Sequence, residues 1–175
     1  LLAFEGNIGV GKTSLAQKIA LDYGVPKLLE NFTQNPYLEK FYDQPKRFAL
    51  PLENHFLEDL FRQFRDFNQK IGAADHSFFK SLIFAQINLS KTDFHDFKQN
   101  YERLSAQLEV PQKIVLLHKP IEELLLQIKS RGRSYEQNIT TEYLEKIELG
   151  YQDFLKSGET IPPMSIDLTN LDFVN

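Results

Sequence analysis

The sequence predicts an α/β fold, a parallel sheet of about five strands flanked by helices. Three observations predict it. Short apolar runs alternate along the chain with longer segments whose apolar residues recur at helical spacing. The first run ends in glycine and leads through a glycine-rich turn into a helix. The 175 residues, 42% hydrophobic and 25% charged, have the length and balance of one globular domain.

Leu1–Glu5 is a short apolar run closed by Gly6, which reads as a buried strand. In Lys12–Tyr23, Leu15, Ile19 and Tyr23 share a helical face, and Gly24 and Pro26 stop the helix. Val25–Leu29 reads as a second strand. Pro51–Phe67 predicts a strong helix from Leu52, Phe56, Leu60, Phe64 and Phe67. Ile71–Asp75 is a weaker strand candidate, because Gly72-Ala73-Ala74 has poor β-propensity. Helices follow over Ser77–Leu89 and Thr92–Leu108, and Lys113–His118 is an apolar strand. Pro120–Ser130 opens on a proline at its first turn, as helices tolerate. A helix over Thr141–Leu155 and a short strand over Ser165–Leu168 complete the pattern.

Composition removes several function classes. The net charge of −4 argues against broad binding to nucleic acid or anionic membranes. With no Cys, the chain has no disulfide, zinc–thiolate site or cysteine nucleophile. Apolar runs such as Ile114–Leu117 fall far short of the roughly 20 residues a membrane span needs. His55, His95 and His118 have no metal-ligand spacing and read as surface, helix-flank or strand-end residues. The 15 Phe and 7 Tyr are concentrated on helices with broad aromatic faces, read as core plus a subunit interface. The chain opens on Leu1 inside a strand, so the domain spanning 1–175 is expected to be incomplete at its termini. The stretch Phe64–Asp75 is short for a helix end, a turn and a central strand, which predicts residues missing around Gln63–Gly72.

Gly6-Asn7-Ile8-Gly9-Val10-Gly11-Lys12-Thr13 matches G-x-x-x-x-G-K-[ST], with a strand before it and an amphipathic helix after it. Glycines let the backbone wrap phosphate oxygens with amides pointing inward, and the helix N-terminus adds partial positive charge. Lys12 supplies a point charge to the β- and γ-phosphates, and the Thr13 hydroxyl is a ligand for Mg²⁺. This is a nucleoside triphosphate site. Neither N-K-x-D nor D-x-x-G occurs, which excludes a GTPase of the usual kind, and the chain is short for a motor ATPase. A small kinase remains. A monophosphate acceptor would need Arg or Lys to neutralise it, whereas a neutral hydroxyl profits from a carboxylate that takes its proton. Glu30, at the carboxyl end of Lys27-Leu28-Leu29, has the position of such a base, although position alone also suits a solvated strand-end Glu.

These residues resemble the deoxyribonucleoside kinases. The likeness rests on Phe4 through Thr13, on Glu30, and on Asn35-Pro36-Tyr37-Leu38-Glu39-Lys40-Phe41-Tyr42. It continues in Ser81-Leu82-Ile83-Phe84-Ala85 and Arg131-Gly132-Arg133, in order over residues 1–155. The bacterial deoxyadenosine/deoxyguanosine branch is the most similar. The resemblance implies a P-loop kinase fold and ATP- and Mg²⁺-dependent phosphorylation of a deoxynucleoside at its 5′-hydroxyl. Residues Gly6 through Ser14 would bind ATP, and Glu30 would be the general base. Tyr42 and Glu136 would hydrogen-bond the sugar 3′-hydroxyl, with Tyr42 also excluding a 2′-hydroxyl. Glu53 would face the base; an ionised carboxylate only accepts hydrogen bonds, which favours a purine or cytosine over thymine. Asp75 would join Thr13 in holding Mg²⁺. Arg131 and Arg133 would close as a lid over the transferring phosphoryl. Position alone also allows Asp75 as a helix N-cap, Tyr42 as a core-edge tyrosine and the two arginines as a basic helix end.

The resemblance also implies a cytoplasmic homodimer in nucleotide salvage, with no nucleic-acid or membrane partner. Three positions depart from the family pattern: His76 and Leu60 stand where arginines are usual, and Gln127 replaces a further lid arginine. Lys80 and Lys129 are the candidate replacements for the lost charge. The alternatives are a thymidylate-type nucleoside monophosphate kinase and a degenerate ATP-binding domain.

Overall fold

The computed structural model describes residues 1–109, 111, 113–158, 161–169 and 171. In chain order the elements are β1 (Leu2–Gly6), α1 (Lys12–Tyr23), β2 (Lys27–Leu28), α2 (Leu38–Asp43), α3 (Pro45–Asp66), β3 (Ala73–Ala74), α4 (Lys80–Asn88), α5 (Lys91–Ser105), β4 (Lys113–His118), α6 (Ile121–Arg131), α7 (Thr141–Lys156) and β5 (Met164–Asp167). They form two compact units. Residues 1–29, 69–77 and 111 onward make a sheet unit, and residues 30–68 and 78–110 make a helical unit.

The sheet unit carries five parallel strands in the order β2-β3-β1-β4-β5. β1 is central, with Ala3 opposite Ala74 on one side and Ile114 on the other. A parallel sheet is covered on both faces, so its strands read as continuous apolar runs rather than as alternation. Ala3, Phe4 and Ile114–Leu117 are accordingly all buried. β2 and β3 are shorter than the apolar runs predicted. Only Lys27–Leu28 and Ala73–Ala74 pair, and the ladder is extended by Ala73 N–H to Pro26 O at 3.0 Å and Asp75 N–H to Leu28 O at 3.1 Å. The weak β-propensity of Gly72-Ala73-Ala74 is overridden by burial: both alanines are fully enclosed, where a larger side chain would have no room. α1, α6 and α7 bury Ala16 and Ala20, Leu124 and Ile128, and Leu144, Ile147 and Tyr151 respectively.

The helical unit departs further from the sequence pattern. α3 begins at Pro45, six residues before the predicted start, and runs through Pro51. Pro45 occupies the first turn, where a missing N–H is harmless; Pro51 removes one interior hydrogen bond, which the amphipathic face of a 22-residue helix outweighs. The sequence pattern does not predict α2, because six residues give too little periodicity to read. α4 starts at Lys80 rather than Ser77, because the Ser77 amide and hydroxyl both donate to the Glu5 carboxylate instead of entering a helix. α5 is capped by Ser90, whose hydroxyl accepts from Asp93 N–H at 3.2 Å. Much of the phenylalanine content is spent here. Leu57, Leu60, Phe78, Ala85, Phe97 and Leu104 form the core, with Phe61, Phe64, Phe94 and Tyr101 against it and Phe78 stacked on Tyr101 at 5.1 Å. The connection after α3, where the sequence pattern predicts missing residues, is a short loop that turns at once, with Asn68 N–H on Asp66 O at 2.9 Å.

Candidate active site

The chain leaves β1 into the phosphate loop, and three of its glycines take positive φ: Gly6 at 135°, Gly9 at 84° and Gly11 at 104°. A Cβ at Gly6 would collide with the Leu117 carbonyl on β4, and one at Gly9 would come within 3.0 Å of Ile128 and 3.2 Å of the Leu124 carbonyl on α6. The loop is therefore pressed so closely on the sheet and on α6 that only glycine fits at these points. Asn7 pins it from the other side. Its Nδ2 donates to Leu144 O at 2.8 Å and its Oδ1 accepts from Ile8 N–H at 2.9 Å, so this side chain shapes the loop and leaves the backbone to face a ligand. Val10 is buried beneath. Lys12 Nζ curls over the loop onto Gly6 O at 2.8 Å and Asn7 O at 2.9 Å. Ser14 follows Thr13 in the first turn of α1.

Thr13 and Asp75 are brought together as the sequence suggested: Thr13 Oγ1 donates to Asp75 Oδ2 at 2.6 Å. Asp75 is buried, and its other oxygen pairs with His76 Nδ1 at 2.9 Å. The N-cap reading of Asp75 fails, because no helix begins there. Among the described residues no cluster of three or more His, Asp or Glu could cage a metal. One hydroxyl and one carboxylate fit Mg²⁺, which keeps most of its shell as water and phosphate oxygens.

Glu5 is the functional-looking residue that sequence reasoning missed. It is fully buried on β1; Oε1 accepts from the Ser77 amide and hydroxyl, each at 2.5 Å, and Oε2 accepts from Tyr151 OH at 2.7 Å. One carboxylate thereby ties together the strand before the phosphate loop, the turn after Asp75, and α7. The signal was present as a lone charge in an otherwise apolar strand, which burial permits only with donors around it.

The lid candidates also come together. Gly132 ends α6 at φ 71° and turns the chain. Arg131 donates twice to Glu136 Oε2, at 2.5 and 3.0 Å, and Arg133 donates to Oε1 at 3.1 Å. Glu136 is buried, and both of its oxygens are taken by the two guanidinium groups. Gln127, in place of a lid arginine, turns its amide nitrogen to the Gly9 carbonyl and accepts from Lys119 Nζ at 2.7 Å. That position fastens α6 to the phosphate loop. Lys129 is exposed.

In the helical unit, Lys80 Nζ donates to Glu30 Oε2 at 2.5 Å, with the two side chains only 13% and 15% exposed. His76 is buried against Asp75, and Lys80, the candidate replacement for a lost arginine, pairs with Glu30. Lys80 also lies 5.3 Å from the Phe84 ring centre. Glu53 is 2% exposed on α3, the buried side that its neighbours Leu52 and Phe56 predict. Its Oε1 accepts from Asn88 Nδ2 at 2.7 Å, a partner sequence reasoning did not single out. Burial pushes the Glu53 carboxyl up to about 7; the Asn88 hydrogen bond and the Lys80 charge oppose that rise, and Glu30 adds to it. Tyr42 is half-buried at the edge of a second cluster built on Phe41, Ala49 and Leu52, edge-on to Phe41 at 5.4 Å. Asn35 Nδ2 donates to Leu52 O at 3.3 Å, holding the segment before α2 on α3 beside Glu53. Leu60 is simply core.

A strand, a phosphate loop, a Thr–Asp pair and an arginine-bearing helix end describe many phosphotransferases. Comparison with known proteins narrows the set. The deoxynucleoside kinase family model matches residues 2–175. A deoxyguanosine kinase of Bacillus subtilis (strain 168) is 34% identical over 183 residues, covering 99% of this chain and 88% of its own. A deoxyadenosine/deoxycytidine kinase of the same organism is 26% identical over 185 residues, covering 100% and 85%. Among solved structures, a deoxyadenosine kinase from M. mycoides with dCMP and dCDP bound aligns with a TM-score of 0.86 at 25% identity, covering 98% of this chain and 91% of that one. The family match spans residues 2–175 and the 34% identical relative is covered over 88% of its length, so this chain belongs to the deoxynucleoside kinase family.

Proposed function

We propose that this ATP-dependent kinase phosphorylates the 5′-hydroxyl of purine deoxynucleosides. The observation that carries the reading is the Glu30–Lys80 pair. A carboxylate paired with a lysine adds no net cationic charge at the acceptor. It suits an uncharged alcohol, whereas a monophosphate acceptor would need surplus cations. Glu30 accepts the hydroxyl proton as the oxygen attacks, and Lys80 holds the carboxylate in one orientation. Backbone amides of Gly6 through Gly11 and the Lys12 ammonium hold the donor phosphates. Thr13 and Asp75 would hold Mg²⁺, which supplies charge neutralisation on those phosphates. Arg131 and Arg133 are proposed to exchange Glu136 for phosphoryl oxygens when the lid closes, which frees Glu136 to bond the sugar 3′-hydroxyl; Tyr42 is the second proposed partner of that hydroxyl.

Glu53 reads the base. Salvage in the cytoplasm as a homodimer completes the proposal. Support for the dimer is the half-buried aromatic surface of Phe61, Phe64, Phe94 and Tyr101 on α3 and α5. For localisation, no helix among the described residues is long and apolar enough to cross a membrane. The test is incubation with labelled ATP, Mg²⁺ and, separately, each of the four deoxynucleosides and dTMP. The expected product is the 5′-monophosphate of deoxyguanosine or deoxyadenosine. Labelled diphosphate from dTMP, or ATP binding without any product, would contradict the proposal.

A further inference from the structure

The helical unit is filled with leucine and phenylalanine, yet it encloses a small polar group: Glu53 from α3, Asn88 and Lys80 from α4, and Glu30 from the segment after β2. Burying such a group costs stability unless its members are hydrogen-bonded, and here they pair with one another. Its geometry is asymmetric. Asn88 Nδ2 occupies Oε1 of Glu53 at 2.7 Å, and among the described residues no donor is bonded to Oε2. An amide N–H on Oε1 also dictates where a proton goes when the acid is neutral, namely onto Oε2.

The two purines present opposite polarity at ring position N1: guanine carries an N–H donor there and adenine a lone-pair acceptor. An ionised Oε2 accepts from guanine N1–H, whereas with adenine it can accept only from the 6-amino group and leaves the N1 lone pair facing it without a donor. A protonated Oε2 donates to adenine N1 but sets its hydrogen against the guanine N1–H. In each mismatched case a desolvated polar group is left without a partner, which is the strongest basis for rejecting a ligand.

We propose that Asn88 is a specificity-determining residue: by holding Oε1 of Glu53 it leaves Oε2 alone to meet the purine, and the proton on Oε2 selects adenine when present and guanine when absent. This rests on the reading of Glu53 as the base-facing residue. The charged groups that bear on Glu53 are Lys80, which favours the ionised acid, and Glu30, which opposes it. With burial the dominant influence, the acid changes form near neutral pH.

The experiment measures kcat/KM for deoxyguanosine and for deoxyadenosine from about pH 6 to pH 8 and takes their ratio, in which every ionisation common to both reactions cancels. In the wild type the guanosine-to-adenosine ratio is expected to rise at least about tenfold over that range. Glu53→Gln should hold the ratio constant and adenine-favouring, because Asn88 orients the new amide with its NH₂ in the Oε2 position. Asn88→Ala should move the midpoint to higher pH, since a bond to the ionised form is lost. A flat wild-type ratio, or an Asn88→Ala enzyme titrating at the wild-type midpoint, overturns the inference. A flat wild-type ratio alongside a Glu53→Gln enzyme with altered base preference overturns the proton switch and leaves Glu53 at the base. A Glu53→Gln enzyme with both kcat/KM values and their pH profile unchanged removes Glu53 from the base and overturns the underlying reading too.

Discussion

The two units hold functional groups by different physical means. In the sheet unit the phosphate loop is a backbone device. Its shape comes from glycines at positive φ, from the collision a methyl would make with the Leu117 carbonyl, and from Asn7 fastened to α7. In the helical unit the devices are side-chain pairs, Glu30 with Lys80 and Glu53 with Asn88, little exposed to solvent. A backbone device tolerates almost no change of shape, because neighbouring main chain cannot move aside. A side-chain device is instead sensitive to charge, because burial removes the water that would otherwise solvate it.

The sharpest way to break this contrast is a single methyl in the loop. Gly6→Ala forces φ 135° on a residue with a Cβ and drives that Cβ into the Leu117 carbonyl. ATP affinity should fall by about a hundredfold or more. Calorimetric titration with ATP measures it; affinity within a factor of two of wild type would remove the claim that the loop is backbone-limited.

A smaller effect is expected from a change that conserves shape but not charge in the helical unit. Lys80→Met keeps an unbranched apolar stem but removes the ammonium that lies over the Phe84 ring and pairs with Glu30. Turnover should drop about 10- to 100-fold with ATP affinity unchanged. Equal losses in turnover and ATP affinity would show that Lys80 serves the donor as well.

A third effect is on stability. The Glu53 carboxyl is raised in the folded protein to about 7 from the ordinary 4.5, so between those values the folded chain binds more protons than the unfolded chain. Stability therefore falls as pH rises across that window and levels off above it. Glu53→Gln has no such loss. Urea denaturation should find the variant close to wild type at pH 5 and about 2–4 kcal/mol more stable at pH 8. A gap that does not change with pH would mean that Glu53 is solvated in solution.

The same contrast explains what the sequence made legible. The phosphate loop, its flanking strand and α1 could be read residue by residue, because backbone conformation is written locally in glycine and lysine spacing. Lys12–Tyr23 and Lys113–His118 were expected at their observed bounds. Pairings of side chains distant in sequence are not written locally. Nothing near Asn88 points to Glu53, 35 residues earlier, and nothing near Glu5 points to Ser77 or Tyr151. Leu60 and His76, which stand where arginines are usual, lie in the core and against Asp75, and Lys80 bonds Glu30. The early start of α3 was hidden because Pro51 reads as a beginning when only the local sequence is weighed.

The central claim is that Glu30 takes the proton of an uncharged alcohol while the donor site works independently of it. Glu30→Gln preserves size and can still accept from Lys80, but it cannot act as a base at neutral pH. Single-turnover transfer from labelled ATP to deoxyguanosine, measured beside ATP affinity, should show a loss of about 100- to 10,000-fold in rate with ATP binding within a factor of two. A Glu30→Gln enzyme that transfers phosphoryl at the wild-type rate would contradict the account.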